Sequence, residues 1–265
     1  MPSPLTSAST SGRYGEGPLA RREIAYVTCA ALFSVVLVLT NIIGVKLFVL
    51  FPGGGPSWLM GGEPVTLTSG IITYPLTFLL TDLVSEIWGK RRADLMVVQG
   101  FLMSFVMLAF VQIAVALPPS AIWVNEQLGF RDSASLQTAF RATFFYPQVL
   151  LFASMLAYLT AQLFDVRLYH FWWRVTRGRH LWLRNNGSTI ISQLVDTIIV
   201  NSIFLRFGLG LDWATIARII IAVYLCKIVL ALIDTPFIYL GRALFYRWLQ
   251  IPAHEATSGS APLGR

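Results

Sequence analysis

Residues 73–89 read TYPLTFLLTDLVSEIWG, a stretch that is as apolar as a membrane helix but contains two carboxylic acids. It ends an apolar run that begins at residue 64, and Lys90-Arg91-Arg92 follows it directly. Asp82 and Glu86 are four residues apart, so a helix places both on one face. A bilayer core about 30 Å thick takes roughly 20 residues of helix. The sequence therefore predicts a membrane span over residues 64–88 with a polar face.

The whole chain is as apolar as this stretch. Of its 265 residues, 55% are hydrophobic and only 12% are charged, and the mean hydropathy is +0.66. Soluble domains contain about 25% charged residues, so the composition predicts an integral membrane protein and excludes a second soluble domain. Cys29 and Cys226 both lie in apolar stretches, which predicts neither a disulfide framework nor a thiol metal site.

Six apolar runs are long enough to cross the bilayer as helices. We predict an all-α fold with spans at residues 24–45, 64–88, 95–117, 142–164, 187–205 and 214–239. Together they define a six-span transmembrane domain over residues 24–241. Residues 1–23 are small and polar, which is typical of a disordered leader, and residues 242–265 form a short polar tail.

The lysines and arginines favour one orientation of these spans. Most of them lie in the leader, at residues 90–92, in the arginine-rich segment 165–186 and in the tail. Six spans place all four segments on the same side of the membrane. Because cytoplasmic loops are enriched in Lys and Arg, both termini are predicted to be cytoplasmic. The net charge of +7 comes largely from these clusters, so we expect the lipid bilayer as a partner and no nucleic acid.

The arginine-rich segment has a helical pattern of its own. Apolar residues recur there at Leu168, Phe171, Trp172 and Val175, with arginines between them. This spacing predicts an amphipathic helix that lies in the membrane interface.

Ionisable and amide side chains inside the spans are the candidates for a binding site, because charge in a bilayer is costly and usually faces a cavity or a partner. Asp196 lies deepest in its span and is the strongest candidate. The other polar candidates are Asn41, Asp82, Glu86, Gln193, Asn201, Lys227 and Asp234. Glu86 lies near the headgroups, so a solvated role stays open for it. Lys227 has a second interpretation, as the structural ion-pair partner of one of the aspartates.

The order of the spans and the motifs limit the functional class. Three spans, a basic segment and three more spans place the two halves in opposite orientations, as in the 3+3 inverted repeats of many transporters. The chain has no phosphate-binding P-loop and no HExxH or GxSxG motif, so we expect neither an ATPase nor a hydrolase. The histidines lie outside the predicted spans, and we predict no cofactor and no metal.

Several of these residues occur in segments that resemble one family. The segments are TNII at 40–43 with Lys46, TYPLTFLLTDLVSEIWG at 73–89, AQLFDV at 161–166, RNNGSTIISQLVDT at 184–197, and Lys227 with DTP at 234–236. In this order they resemble the bacterial queuosine precursor transporters, also described as vitamin-uptake-type transporters. The resemblance extends from residue 25 to residue 240.

The resemblance implies uptake of the 7-deazaguanine precursors preQ0 and preQ1 across the inner membrane, by secondary or facilitated alternating access. A carboxylate can accept the adjacent N–H groups of a guanine-type edge, and a flat ring favours an aromatic face. The acceptors on offer are Asp82, Glu86 and Asp196. The rings on offer are Tyr74, Trp88 and Tyr224. We expect Asp196 and Asp82 to bind the substrate or a proton, and Lys227 to balance their charge.

Alternatives to this function stay open at this stage. The amides of Asn41, Gln193 and Asn201 could read the carbonyl and ring nitrogens of the 7-deazaguanine. Carboxylates, amides and aromatic rings would suit other purine-like vitamins as well. A membrane substrate-binding subunit that uses a separate ATPase would show the same six spans. An intramembrane enzyme would need acid and base groups that converge at one membrane face. A homo-oligomer and a monomer are both compatible with the sequence.

Overall fold

The computed structural model describes residues 18–250, with the exception of residues 45, 58–59, 63, 145–147 and 209. Within this part of the chain the α-helices are α1 (Pro18–Ile43), α2 (Tyr74–Trp88), α3 (Lys90–Ala116), α4 (Ser133–Phe144), α5 (Gln148–Thr176), α6 (Leu181–Ile203) and α7 (Trp213–Trp248). Two short strands, β1 (Leu47–Leu50) and β2 (Val65–Thr68), form an antiparallel hairpin. The predicted helical architecture is confirmed for these residues.

Many polar residues lie inside the helix bundle, and many large apolar residues lie on its outer surface. Thr77, Asp82 and Ser85 are at most 1% exposed, whereas Phe110 is 69% exposed. A protein in water shows the reverse distribution. By length and apolarity, the described helices that could cross a membrane are Arg21–Ile43, Lys90–Ala116, Leu181–Phe207 and Trp213–Trp248. The chain is therefore a multi-pass membrane protein.

Helix α2 lies at the centre of the bundle, in contact with α1, α3, α5 and α7. Its residues are buried almost without interruption from Thr77 to Trp88. At 1.5 Å per residue, this 15-residue helix is about 22 Å long, which is shorter than the bilayer core. Gly89 separates it from α3 with a φ of 83°, a backbone conformation that glycine adopts without steric cost.

The second predicted span is not α-helical over its first ten residues. Residues 64–73 do not continue α2, because they contain β2 and a 3₁₀ turn at Ser69–Ile72. The hairpin was not predicted, since its strands are short and lie beside a Gly/Pro-rich loop. Its apolar face packs on α7, where Val65 and Leu67 contact Ala222. The hairpin therefore covers the end of the bundle at which α2 begins.

The arginine-rich segment does not form a separate interfacial helix, so that prediction is wrong. Helix α5 continues through it without a break to Thr176, and Tyr169 within it is fully buried. The predicted start of the fourth span is also displaced, because residues 142–144 belong to α4 and α5 begins at Gln148. A 12-residue helix, α4, was not predicted in the loop before it.

The predicted leader and tail are partly helical. Helix α1 begins at Pro18, inside the leader, and α7 continues to Trp248, inside the tail. Residues 1–17 and 251–265 lie outside the described residues. Helix α7 begins where Asp212 accepts hydrogen bonds from the backbone N–H and the hydroxyl of Thr215. These bonds hold the pKa of the Asp212 carboxyl below its ordinary value.

Helices α1 and α3 approach closely at a glycine. A Cβ atom on Gly100 would lie 2.6 Å from Cε1 of Phe33 and 3.1 Å from Cδ2 of Leu37. Phe33 has no exposed surface, so it has little room to move. The close contact between α1 and α3 therefore requires a residue without a side chain at position 100.

We expect Gly100→Val to destabilise the bundle by about 1–3 kcal/mol, which is the usual cost of overpacking a core. The measurement is the thermal unfolding midpoint of the protein in detergent. Gly53→Val is the matched control, because no atom lies within 4 Å of a Cβ at that position. A midpoint for Gly100→Val equal to that of the control would contradict this packing.

Candidate functional site

Polar side chains form three groups along the axis of α2. The Tyr74 layer contains Tyr74, Gln193, Asp196 and Lys227, and the Glu86 layer contains Glu86, Tyr169, Arg184 and Arg242. The third group is the aspartate pair, Asp82 and Asp165. Tyr74 and Glu86 are twelve residues apart, so about 18 Å of helix separates the outer two layers. The aspartate pair lies between them, with Asp82 one helical turn from Glu86.

The Tyr74 layer joins α2, α6 and α7 through an ion pair. The Lys227 ammonium lies 2.6 Å from Oδ2 of Asp196 and 4.4 Å from the centroid of the Tyr74 ring. The Tyr74 hydroxyl lies close to the side chains of both Asp196 and Gln193. This is the ion pair that the sequence interpretation left open for Lys227, and the cation over the ring adds a favourable electrostatic term.

Two acceptors in or next to the Tyr74 layer have no partner within the described structure. They are the buried Oε1 of Gln193 and the hydroxyl of Thr197. Gln193 lies three residues before Asp196 in α6, and Thr197 directly follows Asp196. Buried polar groups are normally paired, so an orphaned amide oxygen beside an ion pair is available to a polar ligand.

The Glu86 layer is a denser ion-pair network at the other end of α2. One guanidinium nitrogen of Arg184 lies 2.8 Å and 3.0 Å from the two Glu86 oxygens. The Tyr169 hydroxyl donates to Glu86 at 2.7 Å, and Nε of Arg242 lies 3.1 Å from it. Glu86 is 8% exposed, which excludes the solvated role considered for it. The network links α2 to α5, α6 and α7.

The aspartate pair has neutral hydroxyl and amide side chains among its neighbours. Asp82 and Asp165 have no exposed surface, and their carboxyl groups are close enough to interact directly. The Ser192 hydroxyl donates to Oδ1 of Asp165 at 2.9 Å. Next to Asp82 in α2, the Thr81 hydroxyl contacts the Gln162 amide of α5. Polar side chains of α2, α5 and α6 therefore lie beside the pair.

The remaining sequence candidates lie outside these layers or at their edges. Asn41 donates to Ser104 across the α1–α3 contact, and Asn201 donates to the Thr197 backbone of its own helix. The Tyr224 hydroxyl donates to the backbone of Ile190. Trp88 packs against Tyr26 and Phe245 in an apolar cluster. Asp234 is half-buried on α7 and lies near Asp82.

Sequence reasoning missed Gln162, Asp165, Tyr169 and Arg184. It placed the last three in a basic loop, where polar residues are unremarkable. A signal was present, because Gln162, Asp165 and Tyr169 recur at helical spacing on one face. That periodicity extends α5 beyond its apolar core and would have placed these side chains inside the bundle.

The arrangement suits the recognition of a polar organic molecule. The Tyr74 layer places a cationic donor, a carboxylate, an amide and an aromatic face together. No group of three His, Cys, Asp or Glu side chains among the described residues is suited to hold a metal ion. A membrane bundle with such an interior is typical of a small-molecule transporter.

Comparison with known proteins identifies the family. Residues 68–241 match the family model described as "Putative vitamin uptake transporter". A Bacillus subtilis (strain 168) protein named "Probable queuosine precursor transporter" is 34% identical over 197 residues, which cover 73% of this chain and 77% of that protein. No solved structure was found to match. The chain belongs to this family of vitamin uptake transporters, which are not enzymes, and the resemblance identified from the sequence is confirmed.

Removal of Arg184 tests the Glu86 layer. Arg184→Met leaves a buried carboxylate short of its main cation, and breaking a buried ion pair from one side costs about 3–5 kcal/mol. We expect a large fall in the thermal unfolding midpoint, and partial recovery when Glu86→Gln is added. Lys90→Met is the control, because the Lys90–Asp94 pair is exposed and such pairs contribute little. Equal effects of Arg184→Met and Lys90→Met would contradict the network.

Proposed function

We propose that this protein imports queuosine precursors, the 7-deazaguanines preQ0 and preQ1, and that the Tyr74 layer binds them. The observation that supports the substrate is the 34% identical relative whose printed name refers to queuosine precursors. The observation that supports the site is the orphaned amide oxygen of Gln193 beside the Asp196–Lys227 pair.

The chemistry of the Tyr74 layer complements a guanine-type edge. Such an edge presents a carbonyl acceptor next to two N–H donors. Lys227 offers a donor for the carbonyl, and the adjacent Asp196 carboxylate accepts the N–H groups with a charge-assisted geometry. The Tyr74 ring provides a face for the flat heterocycle, and Gln193 accepts a further donor. In this account the substrate enters between Lys227 and Asp196.

We place the protein in the inner membrane with six crossings and both termini cytoplasmic. The long helices α1, α3, α6 and α7 supply four crossings. Helix α5 has 29 residues and is about 43 Å long, which is enough for a fifth. The sixth consists of α2 together with the chain that precedes it. The two halves, α1–α3 and α5–α7, then have opposite orientations, as in an inverted repeat. Residues 1–23 and 242–265 lie on the cytoplasmic side.

Transport proceeds by alternating access without ATP hydrolysis by this chain. With this topology the Glu86 layer lies toward the cytoplasm, since α2 runs inward to Lys90-Arg91-Arg92. Its ion pairs tie α2, α6 and α7 together and close the path below the Tyr74 layer. Release of substrate to the cytoplasm requires these bonds to separate, while the Tyr74 end of the bundle stays closed by the β1–β2 hairpin.

Uptake of labelled preQ1 by cells that cannot synthesise queuosine precursors tests this function. We expect uptake that requires the protein and resists competition by excess guanine. Asp196→Asn and Gln193→Ala each remove a hydrogen bond to a buried ligand group, so each should weaken uptake. The expected loss is about 10- to 100-fold for Asp196→Asn, from the 1.5–3 kcal/mol of a charge-assisted bond.

One control and one mild site variant separate a binding effect from a folding effect. Asp132→Asn is the matched substitution at an exposed aspartate before α4, and it should transport like the unmodified protein. Gln193→Ala leaves the Asp196–Lys227 pair intact, so it should fold normally. Absence of uptake despite correct membrane insertion would refute the substrate, and uptake that appears only with a co-expressed ATPase would identify a binding subunit. Unchanged uptake in both site variants would refute the site.

A further inference from the structure

The aspartate pair differs from every other buried acid described above in how its charge is handled. Glu86 is neutralised by Arg184 and Arg242, and Asp196 by Lys227. Asp82 has no ion-pair partner within the described structure, and neither of its carboxyl oxygens accepts a hydrogen bond from another described group. The facing Oδ2 of Asp165 is also without a partner.

The described groups that these two carboxyls interact with are acids and neutral hydroxyls. From α5 they are Asp165 itself and Tyr169, from α2 Glu86, and from α7 Asp234. Helix α6 contributes the neutral hydroxyls of Ser188, Thr189 and Ser192. The faces of α1 and α3 that pack near this part of α2 contain the apolar residues Phe33, Met96 and Val97. Every ionisable group named in this paragraph is therefore an acid. The nearby cations, Arg184 and Arg242, are paired with Glu86.

Two carboxyl groups in contact without a cation cannot both be ionised in a medium of low polarity. One proton shared between them replaces the repulsion by a hydrogen bond, as in other carboxyl dyads. The shared proton then joins one of the two unpartnered oxygens of Asp82 to the unpartnered Oδ2 of Asp165. The ligand that fits this site is therefore a proton.

The aspartate pair lies between the proposed substrate site and the Glu86 layer, so its protonation can affect both. Ser192 donates to Asp165, and Gln193 is the next residue of α6. A substrate that binds Gln193 and Asp196 and shifts α6 therefore also changes the hydrogen bond that Asp165 receives. On the other side, Asp82 is one turn from Glu86 in the network proposed to close the cytoplasmic path.

We propose that the Asp82–Asp165 pair is the proton-binding site that couples this transporter to the proton gradient. The proton binds with the substrate from outside, is shared between the two carboxyl groups, and leaves to the cytoplasm when the Glu86 layer opens. No bond other than the carboxyl O–H forms or breaks. This inference rests on the proposed function.

Proteoliposomes loaded with purified protein test the inference, with labelled preQ1 as the probe and the membrane potential clamped by valinomycin. Counterflow against unlabelled preQ1 inside needs substrate binding and alternation but no gradient. Accumulation driven by an alkaline lumen needs coupling. For one proton per substrate, each pH unit supplies about a tenfold concentration ratio. We expect the unmodified protein to show both activities.

Asp165→Asn and Asp82→Asn mimic a permanently protonated member of the pair. We expect each to retain counterflow and to lose accumulation, with the steady-state ratio falling to about one because the coupling free energy is removed. Asp132→Asn should keep both. If the variants fail to fold, a pH-sensitive dye inside unmodified proteoliposomes replaces them, since substrate entry without a gradient should acidify the lumen.

The outcomes separate the two proposals. No counterflow by well-incorporated protein would refute the transport of preQ1. Counterflow by the unmodified protein without gradient-driven accumulation or lumen acidification would refute proton coupling and leave the transport function standing. Full accumulation by Asp165→Asn and Asp82→Asn would show that the proton binds elsewhere and overturn the assignment of the pair.

Discussion

A charged side chain inside a bilayer must be compensated by an opposite charge or by a change in its protonation, because the hydrocarbon solvates neither acids nor bases. The interior of this protein is organised around that constraint. Arg184 and Lys227 each meet an acid at less than 3 Å, and each pair bridges two helices. The Arg184–Glu86 pair joins α6 to α2, and the Lys227–Asp196 pair joins α7 to α6. The two pairs therefore fix the positions of these three helices relative to one another along their axes.

The central position of α2 follows from the same constraint. A helix with Thr77, Thr81, Asp82, Ser85 and Glu86 on its surface cannot face lipid, so it is enclosed by α1, α3, α5 and α7. Its short length leaves room at one end for the β1–β2 hairpin, whose backbone polar groups pair with each other. Close helix contacts at glycine, such as Gly100 against Phe33, let apolar side chains seal the remaining faces.

The sequence was sufficient to predict the helices that face lipid and the two acids of α2, since apolar periodicity and charge in a span are local signals. It also indicated Asp196 and Lys227, and it offered an ion pair between Lys227 and one of the aspartates, which the structure shows to be Asp196. The pairing of Glu86 with Arg184 was not predictable in this way, because 98 residues separate the two and a basic segment normally indicates a cytoplasmic loop. The β1–β2 hairpin was missed for a related reason, since two strands stabilised by packing on α7 leave only a weak local pattern.

The central claim is that a 7-deazaguanine binds between Lys227 and Asp196, against the Tyr74 ring, and replaces the direct contact between these two side chains. The measurement that tests it most directly is a cryo-electron microscopy or crystal structure of the protein with bound preQ1. The account predicts a flat density against the Tyr74 ring, with one edge on Asp196 and Gln193 and with Lys227 moved onto the carbonyl. Ligand density at the Glu86 layer or outside the bundle, with the Lys227–Asp196 pair still closed, would contradict it.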